Sequence, residues 1–131
     1  MSGHARLKQD VLDALRSFEL LIADDEPAAS SQLVQERVRL VQAVNAYIAH
    51  LGRHMGPAGP RETSDSRLRP WREAHDALLD LRLRYSQHIS RWSGSAIGQG
   101  WKDYQAGSRL LVAQMREHFR RVEALPPLAG Y

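Results

Sequence analysis

The stretch that decides the fold is residues 97–125, which read IGQGWKDYQAGSRLLVAQMREHFRRVEAL. One set of positions in it recurs every three or four residues, which is the spacing of a single face of an α-helix. That stripe comprises Ile97, Trp101, Tyr104, Ser108, Leu111, Met115, His118, Val122 and Leu125. Two prolines follow it and end the pattern. We therefore predict a helix over 97–124, with Leu111 and Met115 buried at the centre of the core.

Three earlier stretches have the same periodicity and are predicted as helices near 5–23, 30–55 and 69–92. The first carries Leu7, Val11, Leu15, Phe18 and Ile22 on one face. Segments rich in glycine, proline, serine or acidic residues separate the stretches, and such residues interrupt helices. In the second stretch, Leu40, Val44, Tyr47, Leu51 and His54 share one seam. This pattern predicts four amphipathic helices.

The four helices predict an all-α fold, an antiparallel up-down four-helix bundle formed by one domain over residues 1–131. Sustained alternation of apolar and polar residues, the mark of a strand, is absent from the sequence. Short connections make consecutive helices antiparallel neighbours, and four apolar stripes can then enclose one core. The three tryptophans fall at or near predicted helix ends and are interpreted as core residues.

Composition limits the environment and the chemistry. The chain has 131 residues, 43% of them hydrophobic and 25% charged, which is typical of a globular domain. Cysteine is absent, which excludes disulfides, thiolate metal sites and cysteine nucleophiles. A reducing cytoplasm fits that composition. The apolar runs are too short to span a bilayer, so no membrane partner is expected.

Charge is distributed unevenly along the chain. Residues 1–66 carry seven Lys/Arg and nine Asp/Glu, whereas residues 67–131 carry eleven and six. The basic half raises the hypothesis of an adaptor whose residues 67–121 contact an acidic protein or nucleic acid. Its arginines alternate with acids, which is typical of a solvated helix face, so nucleic-acid binding is not expected. An unidentified protein and a second copy of the chain, as in a homodimer, remain the partner classes.

The histidines are the candidate metal ligands. His50 and His54 are four residues apart, so their imidazoles lie on the same side of a helix and can bind one transition-metal ion. His118 lies on the stripe of the last helix and is a third candidate. The alternative is structural, because histidines near a helix C-terminus interact favourably with the helix dipole. No phosphate loop, dinucleotide fingerprint, zinc-protease motif or nucleophile elbow is present, so an enzyme is not expected.

Two runs resemble the bacterial hemerythrin-like family. Residues 50–60 read HLGRHMGPAGP and correspond to the His-Leu-x-x-Glu-Asp-x-x-Leu-Tyr-Pro end of the second helix in that family. The His-Leu pair and the closing proline agree, and His54 stands where the family has a ligand glutamate. Residues 121–127 similarly resemble the end of its fourth helix, through Leu125 and Pro127. The passage from Tyr85 to Tyr104 is also similar to the family's third-to-fourth helix region.

The resemblance implies a four-helix bundle, but the ligands of the family's diiron centre do not carry over. Metal-binding members use histidines of the first helix and a His-x-x-x-His pair of the third. The first helix predicted here has no histidine, and His75 and His88 lie about 220° apart around the third. The preferred hypothesis is a hemerythrin-like regulatory or interaction protein without the diiron centre and without a cofactor. The alternative is a sensor that binds one transition-metal ion through His50 and His54.

Overall fold

The computed structural model describes residues 2–55, 68–92 and 96–126. Within these ranges the chain is all-α, with five helices and no strand, which confirms the prediction of an all-α fold. The helices are α1 (Ser2–Leu21), α2 (Ser30–Met55), α3 (Arg69–Arg91), α4 (Ala96–Gln99) and α5 (Trp101–Glu123). None of these helices combines the length and the apolar character needed to cross a lipid bilayer.

Two of the four predicted helices differ from the structure. The first helix begins at Ser2, about one turn before the predicted start, and ends at Leu21. The single helix predicted over 97–124 is two helices, α4 and α5, because the chain turns at Gly100. A Cβ at Gly100 would lie 2.7 Å from Cζ3 of Trp92. The absence of a side chain therefore lets the indole pack against the backbone where the two helices separate.

The apolar stripes of the long helices form one core. Each of α1, α2, α3 and α5 packs against two of the other three, in the order α1–α2–α3–α5 and back to α1. Of the predicted first face, Val11, Leu15, Phe18 and Ile22 are buried and Leu7 is half-buried. Tyr47 of α2, Leu78 of α3 and Phe119 of α5 are also buried. Leu111 and Met115 are also buried, at 8% and 1% exposure, which confirms that prediction.

Two tryptophans at helix starts form hydrogen bonds to the backbone of distant chain segments. The indole Nε1 of Trp71, in the first turn of α3, donates a hydrogen bond of 2.6 Å to the Pro126 carbonyl oxygen. The indole of Trp101, at the start of α5, donates one of 2.9 Å to the carbonyl of Asp24, just after α1. Both side chains are buried, so their interpretation as core residues is confirmed. Each joins a helix start to a chain segment distant in sequence.

Candidate functional site

The last turns of α2 bring together two of the predicted ligands. The ring centroids of His50 and His54 are 4.3 Å apart, as expected for residues one turn apart on a helix. His50 is half-buried, but His54 is exposed, so the interpretation that His54 lies on the core seam is wrong. Residues spaced seven apart, such as Leu33, Leu40, Tyr47 and His54, rotate by about 20° per heptad around a straight helix. Over the three heptads from Leu33 to His54 this rotation adds up and turns His54 away from the core.

A third imidazole, His4, lies beside this pair. Because α1 begins at Ser2, His4 belongs to that helix, and the expectation that the first helix has no histidine is wrong. The His4 ring centroid is 6.3 Å from that of His50 and 5.3 Å from that of Tyr47. Extending the α1 stripe back from Leu7 by one short turn would have placed His4 on the same face. We refer to His4, His50 and His54 as the histidine cluster.

Two imidazoles of the histidine cluster, those of His4 and His50, have surroundings that favour the neutral form. Burial lowers the pKa of His4 to about 4, with smaller contributions from His50 and Lys8. Burial also lowers the pKa of His50, followed by the charges of His54 and Arg53. A neutral imidazole is the form that binds a metal ion. Among the described residues, however, no group of three or more His, Cys, Asp or Glu side chains is arranged to hold one.

His118, the third predicted ligand, lies on α5. It is 7% exposed and borders the groove between α3 and α5, beside Ala77 and Leu81. Its ring packs edge-on against Phe119, at 5.1 Å between centroids. Burial lowers its pKa to about 4, with Arg121 contributing second. No ring contact joins His118 to His50 or His54 in the described ranges, so its role as a third ligand stays a prediction.

Arg37 forms a buried polar contact between α2 and α3 that was not predicted from the sequence. This side chain is 7% exposed, and its guanidinium donates hydrogen bonds to the carbonyl oxygens of Ile89 (3.0 Å) and Trp92 (3.2 Å). It thereby satisfies carbonyls at the end of α3 that have no partner within the helix. The sequence did contain a sign of this burial, because Arg37 is four residues after Leu33 and three before Leu40, on the same face of the helix.

The surface of α2 opposite the core carries almost no charge. We define the α2 outer face as the exposed residues of this helix between positions 31 and 49. They are Ser31, Gln32, Val34, Gln35, Val38, Arg39, Gln42, Asn45, Ala46 and Ala49. Arg39 is the single charged residue of this set, and it donates a hydrogen bond of 2.9 Å to Ser17 Oγ on α1. The charge of Arg39 is thus directed to one edge of the face.

An apolar groove runs along this face between α2 and α3, with a volume of about 580 Å³. Val34 and Val38 are 56% and 49% exposed and border it together with Val41 and Ile89. The one charged side chain in its lining is Arg37, which is buried and hydrogen-bonded to α3. We call this feature the valine groove.

The grooves on the other sides of the molecule are bordered by charged side chains of both signs. Between α1 and α5, Arg116 forms an ion pair with Glu19. The groove between α3 and α5 is lined by Asp80, Arg84, Glu117 and Arg121. These side chains are the solvated, mixed-charge surface expected of a protein face in water. The valine groove differs from both in having no acidic side chain and no exposed charged side chain in its lining.

Comparison of the chain with protein-family models, with curated proteins and with solved structures finds no significant match.

Proposed function

We propose that the chain is a hemerythrin-like antiparallel four-helix bundle that lacks the diiron centre and acts as a small regulatory or interaction protein, not as an enzyme. Contacts between helix ends support the antiparallel arrangement. Arg37, near the start of α2, contacts the end of α3. Trp71, at the start of α3, contacts Pro126 beyond the end of α5. Lys8, near the start of α1, forms an ion pair of 3.0 Å with Glu123 in the last turn of α5.

The positions of the α3 histidines support the loss of the diiron centre. His75 lies next to α2, with its Nε2 3.9 Å from where a Cβ would stand on Gly52. His88 faces α5, where its Nε2 lies 2.8 Å from Ser108 Oγ. The two imidazoles therefore face different neighbouring helices. Helix α3 supplies no pair of histidines directed at one site, which the family's centre requires.

The α2 outer face is the single observation that carries the interaction role. A quarter of the chain is charged, yet nine of the ten residues of this face are uncharged, and two of them are half-exposed valines. Depletion of charge around exposed apolar side chains distinguishes the centre of a protein interface from ordinary surface. We infer that this face contacts a protein partner.

Site-specific photo-cross-linking in the cell tests this role. A photoreactive amino acid at position 38 should give a protein adduct, because Val38 lies at the centre of the α2 outer face. The same amino acid at position 110 is the matched control, since Leu110 is 60% exposed but lies on α5. An adduct at position 38 and none at position 110 is expected. Equal yields at the two positions, or none at either, would reject the interaction role.

A second candidate function is the binding of one transition-metal ion by the histidine cluster. The 4.3 Å separation of the His50 and His54 rings and the proximity of His4 favour it. Two imidazoles at positions i and i+4 suit Zn²⁺, Ni²⁺ or Cu²⁺. Because water would fill the remaining coordination positions, this binding is expected to be far weaker than at a structural zinc site.

Calorimetric titration with Zn²⁺ separates the two candidate functions. If the cluster is a metal site, the chain binds one ion, and His54→Ala weakens the affinity by at least about tenfold, since the loss of an outer-shell partner alone costs that much. His118→Gln is the companion variant, and it should leave the affinity unchanged unless His118 is the third ligand. Weak binding that His54→Ala does not alter would leave the interaction role as the single candidate.

A further inference from the structure

We propose that the partner of the α2 outer face is a second copy of this chain, so that two molecules associate through their α2 helices about a two-fold axis. This inference rests on the proposed interaction role and names its partner. The two valines at the centre of the face are exposed by about half, and the groove beside them is open along α2 and α3.

The spacing of the outer residues of α2 favours pairing with another helix. Val34, Val38, Val41 and Asn45 are separated by four, three and four residues, and all are exposed except Val41, which is half-buried. This is the spacing at which the side chains of two helices interdigitate side by side. Helix α2 therefore has two adjacent seams, one inside the core through Leu33, Leu40, Val44 and Tyr47, and one on its outer side.

The lack of charge favours self-association over other partners. In a two-fold interface each surface meets a copy of itself, so like charges at its centre would repel. The α2 outer face limits this repulsion because the two cations that reach it are hydrogen-bonded to polar side chains: Arg39 to Ser17 of α1, and Arg82 of α3 to Asn45. Nucleic acid or an acidic peptide would need several exposed cations here, which this face does not provide.

The dimensions of the face predict a reversible dimer. The span from position 31 to position 49 corresponds to about 27 Å at 1.5 Å per residue. A contact between two helices of that length falls near the lower end of specific interfaces, which begins at about 1,200 Å² of total buried surface. Association is therefore expected to depend on protein concentration rather than to be permanent.

Sedimentation equilibrium over a range of concentrations tests the proposal. The weight-average mass should rise from the monomer mass of 14.8 kDa towards twice that value. Val38→Asp should raise the dissociation constant of the dimer by at least about tenfold, because it places two carboxylates near the two-fold axis. Leu110→Asp, a matched change at an exposed leucine of α5, should leave it unchanged. Circular dichroism checks that both variants remain helical.

The absence of cysteine allows a second, position-specific measurement. Single cysteines introduced as Val38→Cys and Leu110→Cys report which face meets its copy. Under mild oxidation, Val38→Cys should form disulfide-linked dimers at least about ten times faster than Leu110→Cys, since cross-linking needs the two Cα atoms within about 7 Å.

Several results would overturn the proposal. It fails if the chain stays monomeric at all concentrations, or if Val38→Asp and Leu110→Asp dimerise as the unaltered chain does. If the chain is monomeric but a photoreactive group at position 38 captures a different protein, the interaction role stands and the second copy is wrong as the partner. If the chain is monomeric and position 38 captures nothing, both proposals fail.

Discussion

His88 Nε2 lies 2.8 Å from Ser108 Oγ, and this hydrogen bond joins α3 to α5. The imidazole also stacks on the Tyr104 ring at 5.2 Å between centroids. At Gly107, a Cβ would lie 2.9 Å from His88 Cε1, so the ring packs directly against the α5 backbone. Burial, followed by the charges of Arg37 and Arg91, lowers the pKa of His88 to about 4. A partly buried, neutral imidazole therefore joins α3 to α5 beside the core.

Stability should fall as the pH decreases from about 6.5 towards 4. The folded-state pKa values of His4, His88 and His118 are about 4, below the ordinary value of 6.5. Between these values the unfolded chain binds more protons than the folded one, so acidification favours unfolding. The stabilisation is complete above pH 6.5 and is lost progressively below it. Urea unfolding at pH 7, 6 and 5 measures this dependence.

His88→Gln provides the control for that dependence. Glutamine keeps a polar side chain but does not titrate, so the variant should lose stability at pH 7 and show a shallower decline towards pH 5. If the unaltered chain unfolds at the same urea concentration at pH 5 and pH 7, the neutral state assigned to these histidines is wrong.

Leu111→Ala should destabilise the fold by about 2–5 kcal/mol, the cost of truncating a buried leucine. Leu111 lies on the core side of α5, whereas its neighbour Leu110 is 60% exposed. Leu110→Ala should therefore change the free energy of unfolding by less than about 0.5 kcal/mol. Denaturant unfolding of the two variants compares adjacent positions of the same helix. Similar losses would contradict the assigned face of α5.

Arg37→Met should destabilise the protein by about 1–3 kcal/mol, because it leaves the carbonyls of Ile89 and Trp92 without their donor. Arg39→Met is the matched control two residues away. Arg39 is exposed and its hydrogen bond to Ser17 lies at the surface, so its loss should cost less than about 1 kcal/mol. Thermal and urea unfolding give both values. A larger loss for Arg39→Met would show that the end of α3 does not depend on Arg37.

Purified without chelator, the protein should contain no stoichiometric iron and should show no absorption from an oxo-bridged diiron centre. The physical reason is the placement of the α3 histidines, which contact α2 and α5 separately. Elemental analysis after reconstitution with ferrous iron checks this expectation. Two irons per chain would contradict the proposed loss of the centre.

Much of the fold could be predicted from the sequence, because the spacing of the apolar residues indicates which face of each helix is buried. In α2, Leu40, Val44 and Tyr47 identify the core seam correctly. The start of α1 was harder to predict, since its first turn has neither an acidic residue nor a proline to mark it. That missing boundary signal is why His4 was overlooked as a neighbour of His50.

The buried polar groups and the outer surface could be predicted only in part. Arg37 has the helical spacing of the core residues, so its burial could be predicted. The hydrogen bonds to the carbonyls of Ile89 and Trp92 that make this burial favourable could not, since these residues are more than fifty positions away in the sequence. The valine groove likewise depends on which side of α2 meets α3. A sequence shows that Val34 and Val38 are apolar, whereas their exposure is a property of the packed helices.

The central claim is that the α2 outer face is covered by a protein in the cell. Maleimide labelling of single cysteines tests it most directly, because the natural chain has none. The labelling rate of Val38→Cys should be at least about tenfold lower in the cell than in dilute purified protein, relative to Leu110→Cys, as expected for the buried centre of an interface. Equal relative rates in the two settings would contradict the claim.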